Sequence, residues 1–545
     1  MTSLSVPRRT GLVALAVVVL GSASGCLRGG RPVESEPPVS AAPRASTGGT
    51  LRLFHEAPAS LDPVDVGSVY ESLPVNQLFD GLVYLDAGLS IRPALAETWE
   101  ISRDGCGYVF HLRDGVKFHD GSTLSAEDVE YSIRRALDPR RAGDSLVAPY
   151  LGVVRGADEF RAGRAPRIEG LRMIDRLTVA IDLDHAYPSF LEVLAMDSLK
   201  VVSKSAVERA GAAGIARSPI GTGPFALESW DPDRLVLAAF EGWHGGRSKV
   251  DRVEVVFADA FEPELGERLF RAGELDAFEP DSEAVAGLSG FDNVRVARWP
   301  ELSLSFLGLD TRTPPLDRVE VRLAIAHALD RRALVDLLPS LRRHAVGILP
   351  PGMAAYSPDV KVLPHDPDLA RRLLHQAGYS AASPLPPIDM YTASRSPTAV
   401  RTAERIAADL HAVGIAVRVR HVSWPELTAR VDAGTAPAFL LSWLADMNDP
   451  DAFLRALFDI DGPDNYFGFR DADSQAMLDA GAYELAPDRR ARIYRRLERR
   501  ILERAPLVPL YHTLGTLAVR DRVVGIDPGP MGLANVELER VSLTG

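Results

Sequence analysis

The sequence predicts a mixed α/β protein of two or three domains, and three observations carry that expectation. Short segments in which apolar residues alternate with polar ones interleave with longer segments whose apolar residues recur every three to four positions. Beyond an N-terminal leader and tether, about 500 residues remain, enough for two or three hydrophobic cores. No self-similarity at a solenoid period is present, so the domains are not stacked repeats. At 46% hydrophobic and 25% charged residues, the composition is that of an ordinary globular protein.

Arg8 and Arg9 precede an uncharged run from Gly11 to Gly25, rich in Leu, Val and Ala. A bilayer span needs about 20 apolar residues. This run is shorter, so residues 1–25 read as a signal peptide. The run ends in Ala23-Ser24-Gly25-Cys26, which resembles the lipobox of bacterial lipoproteins, with Ala23 where Leu is more usual. That resemblance implies cleavage before Cys26 and lipidation of Cys26, hence attachment to the outer face of the cytoplasmic membrane. Residues 27–49 are rich in Gly, Pro, Ser and Ala without hydrophobic periodicity, so residues 26–49 read as a lipidated cysteine and flexible tether. Such a leash has a root-mean-square reach of roughly 25–30 Å. Each buried CH₂ of an acyl anchor stabilises attachment by about 0.8 kcal/mol, so more than one chain holds firmly without a spanning helix.

Leu51-Arg52-Leu53-Phe54 reads as the first strand, followed by strands at Tyr108–Leu112 and Leu177–Ile181. Residues 126–137 read as a helix with Ala126, Val129, Ile133 and Leu137 along one face. Residues 317–337 give a stronger helical stripe through Val321, Ala324, Ile325, Ala328 and Leu329, extended by Leu337. Asp366-Pro367 through Ala377-Gly378 carries a capping Asp, a Pro at the first helical position and a Gly past the end. Ala399–Val413 is a further amphipathic helix, and residues 416–420 alternate as a strand. Residues 487–504 form a helix whose outer face is laced with Arg and Glu, a solvated surface.

The formal charge is −13, and loss of Arg8 and Arg9 with the leader makes it −15. An acidic body argues against nucleic acid and against lying flat on anionic lipid. Only two cysteines exist, so lipidation of Cys26 leaves Cys106 without an intramolecular partner, a buried or half-buried passenger. The sequence holds no phosphate-binding Gly-rich loop with its Lys, no Gly-x-Ser-x-Gly elbow, no His-Glu-x-x-His site and no Cys-x-x-Cys pair. The 12 histidines are scattered, none paired at metal-ligand spacing. Neither catalysis, a metal nor a cofactor is expected.

A resemblance covers nearly the whole mature chain. It opens with Ser60-Leu61-Asp62-Pro63 and Gln77-Leu78-Phe79-Asp80-Gly81-Leu82. The densest block runs from Pro93-Ala94-Leu95-Ala96-Glu97-Thr98-Trp99 through Phe110–Gly121 to Ala126-Glu127-Asp128-Val129. Downstream follow Gly221-Thr222-Gly223-Pro224-Phe225, Gly273-Glu274-Leu275-Asp276, Pro314-Pro315-Leu316-Asp317 and Ala328-Leu329-Asp330-Arg331. Leu373–Tyr379, Ser442-Trp443-Leu444-Ala445-Asp446 and Pro506–Leu510 close it. This pattern resembles the family 5 extracellular solute-binding proteins, the peptide, dipeptide, nickel and oligosaccharide binders of ABC importers.

The resemblance implies a two-lobed periplasmic-binding-protein architecture (type II, cluster C) that closes on its ligand about a hinge, with a small domain inserted in the first lobe. Residues 50–85, 201–308 and 511–545 would form lobe I, 86–200 the inserted domain and 309–510 lobe II. It also implies a monomer that captures di- or oligopeptides and delivers them to membrane permease subunits. A nickel complex, an oligosaccharide or a chemosensory role on the same scaffold are the alternatives.

Much of the pattern is scaffold. Asp104-Gly105, Asp114-Gly115 and Asp120-Gly121 are turn chemistry. Trp99, Phe110 and Phe118 read as core, and Asp128 and Asp317 sit near helix starts where a carboxylate satisfies free N–H groups. Asp449 precedes Pro450 and an apolar run, so capping explains it, whereas Asp446 has no such structural reason. In peptide-binding relatives the aspartate of this Trp-x-x-Asp block pairs with the ligand's α-ammonium group. The resemblance therefore implies Asp446 as the ligand's anionic partner, with Trp443 part of the pocket wall.

Overall fold

Leu51 and Leu53 are fully buried, and their alternation drives the first strand, Thr50–His55. The computed structural model describes residues 45–544 apart from 47, 68, 141–146, 259–263, 281, 289–290, 394–395 and 446. The expected leader, Cys26 and most of the tether lie outside the described residues. Among the described residues no helix is long and apolar enough to cross a membrane.

Thr50–His55 belongs to a twelve-stranded mixed sheet. From one edge its path runs through Val417–His421, Ile388–Thr392, Ala438–Leu444 and Ser303–Leu309 to the long strand Leu507–Arg520. It continues through Ala277–Phe278, Thr50–His55, Arg252–Phe257 and Arg234–Ala239 to Phe225–Trp230. Val294–Pro300 and Arg342–His344 also pair with the long strand. The long strand thus serves both lobes. Its first residues pair with Ser303–Leu309 in one, and residues 514–520 pair with Val294–Pro300 in the other. Residues 301–304 and 512–513 form the crossing between these two pairings. Gly515 sits beside this crossing, where a Cβ would come within 2.2 Å of the Trp299 ring, so the indole packs directly on bare backbone.

The segment between the first strand's helix and residue 200 builds a separate four-stranded antiparallel sheet, ordered Ala96–Ile101, Gly107–Leu112, Thr178–Asp182, Leu171–Asp175. Helix Ala126–Ala136 covers it, opened by a reciprocal cap in which Asp128 accepts from the Ser125 N–H at 3.0 Å. One continuous core runs from Phe110, Val179 and Phe190 of this segment into Phe306, Phe439 and Phe453 of the second lobe. The first lobe has its own core around Leu51, Phe79, Leu237 and Val519. Cys106 is a free, half-buried thiol.

The expected helix at 317–337 is two helices, Val319–Ala328 and Arg331–Asp336. Leu329 turns extended, and the Asp330 carboxylate accepts from the Ala333 N–H at 3.1 Å, so a local cap overrides the continuing apolar stripe. Arg318 rather than Asp317 stands at the first helix's N-terminal cap.

Helix Pro487–Arg504 is charged as expected, yet Arg490 and Glu498 point inward. Glu498 is 1% exposed, and its Oε1 accepts from the N–H groups of Ile348 at 2.6 Å and Leu349 at 3.0 Å. Its Oε2 has no partner. Burial pushes the carboxyl up to about 7, above the ordinary glutamate value near 4.3. The folded state therefore holds this proton more tightly than the unfolded chain, and the destabilisation from ionising it grows as pH rises from about 4 to 7. Glu498→Gln, which keeps the acceptor oxygen, is expected to stabilise the protein by on the order of 2 kcal/mol at pH 8 and hardly at all at pH 4.5. Urea unfolding at both pH values measures this, and a difference independent of pH would contradict it.

Candidate functional site

Strand Ala438–Leu444 pairs antiparallel with Ser303–Leu309, setting Trp443 opposite Leu304 and Leu444 opposite Ser303. The Trp443 indole is half-buried against the shared core and donates to the Ala452 carbonyl at 2.6 Å. That bond ties the strand to the short helical turn that follows. Asp446 lies outside the described residues. Its neighbours Leu444, Ala445, Met447 and Asn448 line a cavity of about 280 Å³. Val66, Gly67 and Ser72 of the first lobe close the opposite side, while Glu192 and Met196 come from the insertion and Met531 from the C-terminal segment. This cavity is the cleft between the lobes.

Its electrostatics are one-sided. Glu192 and Asp197 line it, and none of the described lining residues is Lys or Arg. Burial, reinforced by the charge of Asp449, pushes the Glu192 carboxyl up to about 7. Asn448 donates through Nδ2 to the Leu89 carbonyl at 3.4 Å, and its buried Oδ1 has no partner among the described residues. A cationic, hydrogen-bond-donating group is what such a surface favours.

The middle of the same strand borders a second cavity of about 510 Å³, lined by Leu440, Leu441 and Ser442. No described carboxylate lines it. Arg342 does, with its guanidinium over the Tyr511 ring at 4.1 Å and donating to the Leu334 carbonyl at 2.8 Å and the Thr402 hydroxyl at 2.9 Å. Those partners are neutral, so its charge has no counterion there. The start of helix Pro397–Ala412, capped by Ser396 onto the Ala399 N–H at 3.2 Å, opens into the same space. A helix N-terminus adds partial positive charge, so this cavity favours an anion.

A buried polar knot joins the insertion to the second lobe beside the cleft. Arg490 grips Asp449 with both terminal nitrogens, at 2.5 and 2.9 Å. The Ser189 hydroxyl, from the insertion, donates to the same carboxylate at 2.5 Å. Tyr494 donates to Asp451 at 2.7 Å, and burial together with the Asp449 charge pushes the Asp451 carboxyl up to about 6. Asp449 also caps the turn Pro450–Ala452 through the Asp451 N–H at 2.9 Å, as the sequence suggested. Its larger task, meeting Ser189 and Arg490 from remote parts of the chain, was invisible there.

Sequence reasoning singled out a block whose residues Leu444 and Ala445 line the first cavity. It missed Glu192, Asn448 and Arg342. None carries a motif, and Arg342 is one among 61 basic residues. Among the described residues no cluster of three or more His, Cys, Asp or Glu is placed to hold a metal ion.

Comparison with known proteins agrees with this architecture. The chain is 29% identical over 500 residues to heme-binding protein A of Haemophilus influenzae, covering 88% of this chain and 89% of that protein. It is 31% identical over 499 residues to di/tripeptide-binding protein 4 of Pseudomonas aeruginosa, covering 88% and 92%. The solved structure of the periplasmic binding protein DppA from Helicobacter pylori, in complex with the peptide STSA, superposes with a TM-score of 0.75. That pair is 26% identical, over 92% of this chain and 99% of the other. The profile of the bacterial extracellular solute-binding proteins, family 5, matches residues 90–465. With the two-lobed fold and the cleft between its lobes, this match places the chain in the family of bacterial extracellular solute-binding proteins, family 5.

Proposed function

We propose that this chain is the extracytoplasmic binding component of an ABC importer and captures short peptides in the cleft. The observation that carries the reading is the opposite polarity of the two cavities along strand Ala438–Leu444: carboxylates in the one at its C-terminal end, Arg342 and a helix N-terminus in the one beside its middle. A peptide is a zwitterion with an ammonium at one end and a carboxylate at the other. From Leu441 to Ala445 is four residues of extended chain, about 13 Å. At about 3.4 Å per residue, a peptide of about four residues spans that distance and a shorter one reaches part of it. The relative named a di/tripeptide-binding protein and the neighbour that holds the four-residue peptide STSA support short peptides as the size class.

In this reading Asp446 pairs with the peptide ammonium, and Trp443, fixed by its bond to Ala452, forms part of the wall behind it. Val66, Met196, Met447 and Met531 surround that end and favour an apolar first side chain. Closure of the lobes about residues 301–304 and 512–513 follows from contacts a ligand makes only in the closed form. The closed body then engages permease subunits as a monomer, held near the membrane through lipidated Cys26.

The test is mass spectrometry of small molecules released from the purified protein, followed by calorimetric titration with Met-Leu and, separately, with haem. Release of a peptide mixture and saturable dipeptide binding are expected. A lone haem, nickel complex or oligosaccharide, with no dipeptide binding, would overturn the peptide assignment.

A further inference from the structure

On the far side of the wall formed by Leu85, Ala195 and Asn535 lies another cavity, of about 440 Å³, where the first lobe, the insertion and the C-terminal segment meet. Its walls carry both signs of charge, but the two signs are not equally satisfied. Asp80 accepts from His244 Nε2 at 3.0 Å and from the Trp243 indole at 3.4 Å. Glu537 accepts from the Tyr84 hydroxyl at 3.2 Å and pairs with Arg540 at 2.9 Å, and Glu539 lies 3.6 Å from the same guanidinium. Asp197 stands in the wall shared with the cleft.

Lys200 has no such partner. It is only 7% exposed and lines the cavity, yet among the described residues its ammonium makes no hydrogen bond and no ion pair. Backbone bonds fix where it sits. The Val201 N–H donates to the Asp80 carbonyl at 2.9 Å, Leu95 N–H to Gly81 at 3.1 Å and Arg113 N–H to Leu95 at 2.9 Å. These bonds lay the segments bearing Lys200 and Arg113 on either side of the Gly81 and Leu95 backbone. A Cβ on Gly81 would lie 3.8 Å from Lys200 Cδ, so the lysine stem crosses bare backbone on its way to the cavity. Arg113 donates through Nε to the Ala94 carbonyl at 2.7 Å, and no described carboxylate meets its terminal nitrogens. Gln77, 2% exposed, has a buried Oε1 without a partner on the same wall.

The stem of Lys200 is buried but its ammonium reaches the cavity, so an unpaired cation faces that space and a bound oxyanion would supply its counter-charge. We propose that this cavity is a second binding site, independent of the peptide cleft, for a small organic anion bearing carboxylate or phosphate groups. Lys200 and Arg113 contact the oxyanion, Gln77 Oε1 accepts from a ligand hydroxyl, and Trp243 walls the carbon frame.

The test is calorimetry and thermal unfolding of the full chain with citrate, glucose 6-phosphate and inorganic phosphate at millimolar concentration. At least one should bind and raise the melting temperature, with Met-Leu binding unaltered. Lys200→Met should weaken that anion by at least about tenfold, the loss expected when one partner of a buried charge pair goes. The same variant, without anion, should melt no lower than the unsubstituted protein, because the ammonium gives up no described partner and methionine keeps the packing of the buried stem. If Lys200→Met fails to fold, Lys200 has a structural partner and the proposal falls. Arg113→Gln supplies an independent reading and should also weaken the anion. Absence of binding by all three anions, unchanged affinity in both variants, or displacement of the anion by saturating Met-Leu would each overturn the proposal.

Discussion

Replacing Arg490 with methionine is expected to destabilise the folded protein by about 3–5 kcal/mol, because it leaves buried carboxylates without their cation. Asp449 and Asp451 are 3% and 4% exposed, and Arg490 is the guanidinium that holds Asp449 with two parallel hydrogen bonds. Methionine fills similar volume, so the loss reports the charge and not a cavity. The deficit should shrink between pH 8 and pH 5. Without the guanidinium the Asp451 carboxyl, which already stands near 6 with it in place, binds its proton more readily. Ser189→Ala, which removes one hydroxyl donor to the same carboxylate, is expected to lose only about 1 kcal/mol. Urea unfolding of both variants at the two pH values measures these differences. A loss below about 1 kcal/mol for Arg490→Met would mean that the knot does not hold the insertion to the second lobe.

Asp446→Ala is expected to abolish the thermal stabilisation that a dipeptide confers, with affinity falling by roughly a hundredfold or more. Loss of one member of a desolvated charge pair leaves the other uncompensated, about 2–5 kcal/mol in comparable pairs. Asp446→Asn keeps the shape and should fail almost as badly if charge is what matters. An N-acetylated dipeptide, which lacks the ammonium, should bind the unsubstituted protein about as weakly as the free dipeptide binds the alanine variant. Any remaining sensitivity to acetylation in Asp446→Ala, or an unchanged melting shift, would remove Asp446 from the role.

Local signals in the sequence were sufficient where one element decides its own fate. The alternation at residues 51–54 and the capped segment Asp366–Gly378 both became the expected elements, the latter as helix Pro367–Gln376. They failed where the outcome depends on what arrives from elsewhere. Arg490 and Glu498 sit on a helix that reads as solvated, and only packing against Asp449 and the turn at Ile348-Leu349 turns them inward. Trp443 and its neighbours were legible as a block, but the polarity of the cleft was not. Glu192 enters it, and Arg342 the neighbouring cavity, from segments with no sequence relation to that block.

The strand Leu507–Arg520 also dictates when the molecule can finish folding. The strand Ala277–Phe278 reaches the rest of the first lobe's sheet on one side and Ala518 and Val519 on the other, and Ala45 finds its partner only at Thr544. A chain threaded across a membrane N-terminus first therefore presents the early strands long before their last neighbours exist. Pairings so distant in sequence close slowly, and the waiting edges are exposed to aggregation. Completion of the first lobe is gated by arrival of the final strand, so a chain truncated before residue 507 lacks the piece that joins its two halves. Maturation is in this sense a check on length: only a chain translated and translocated to its end can become a working trap.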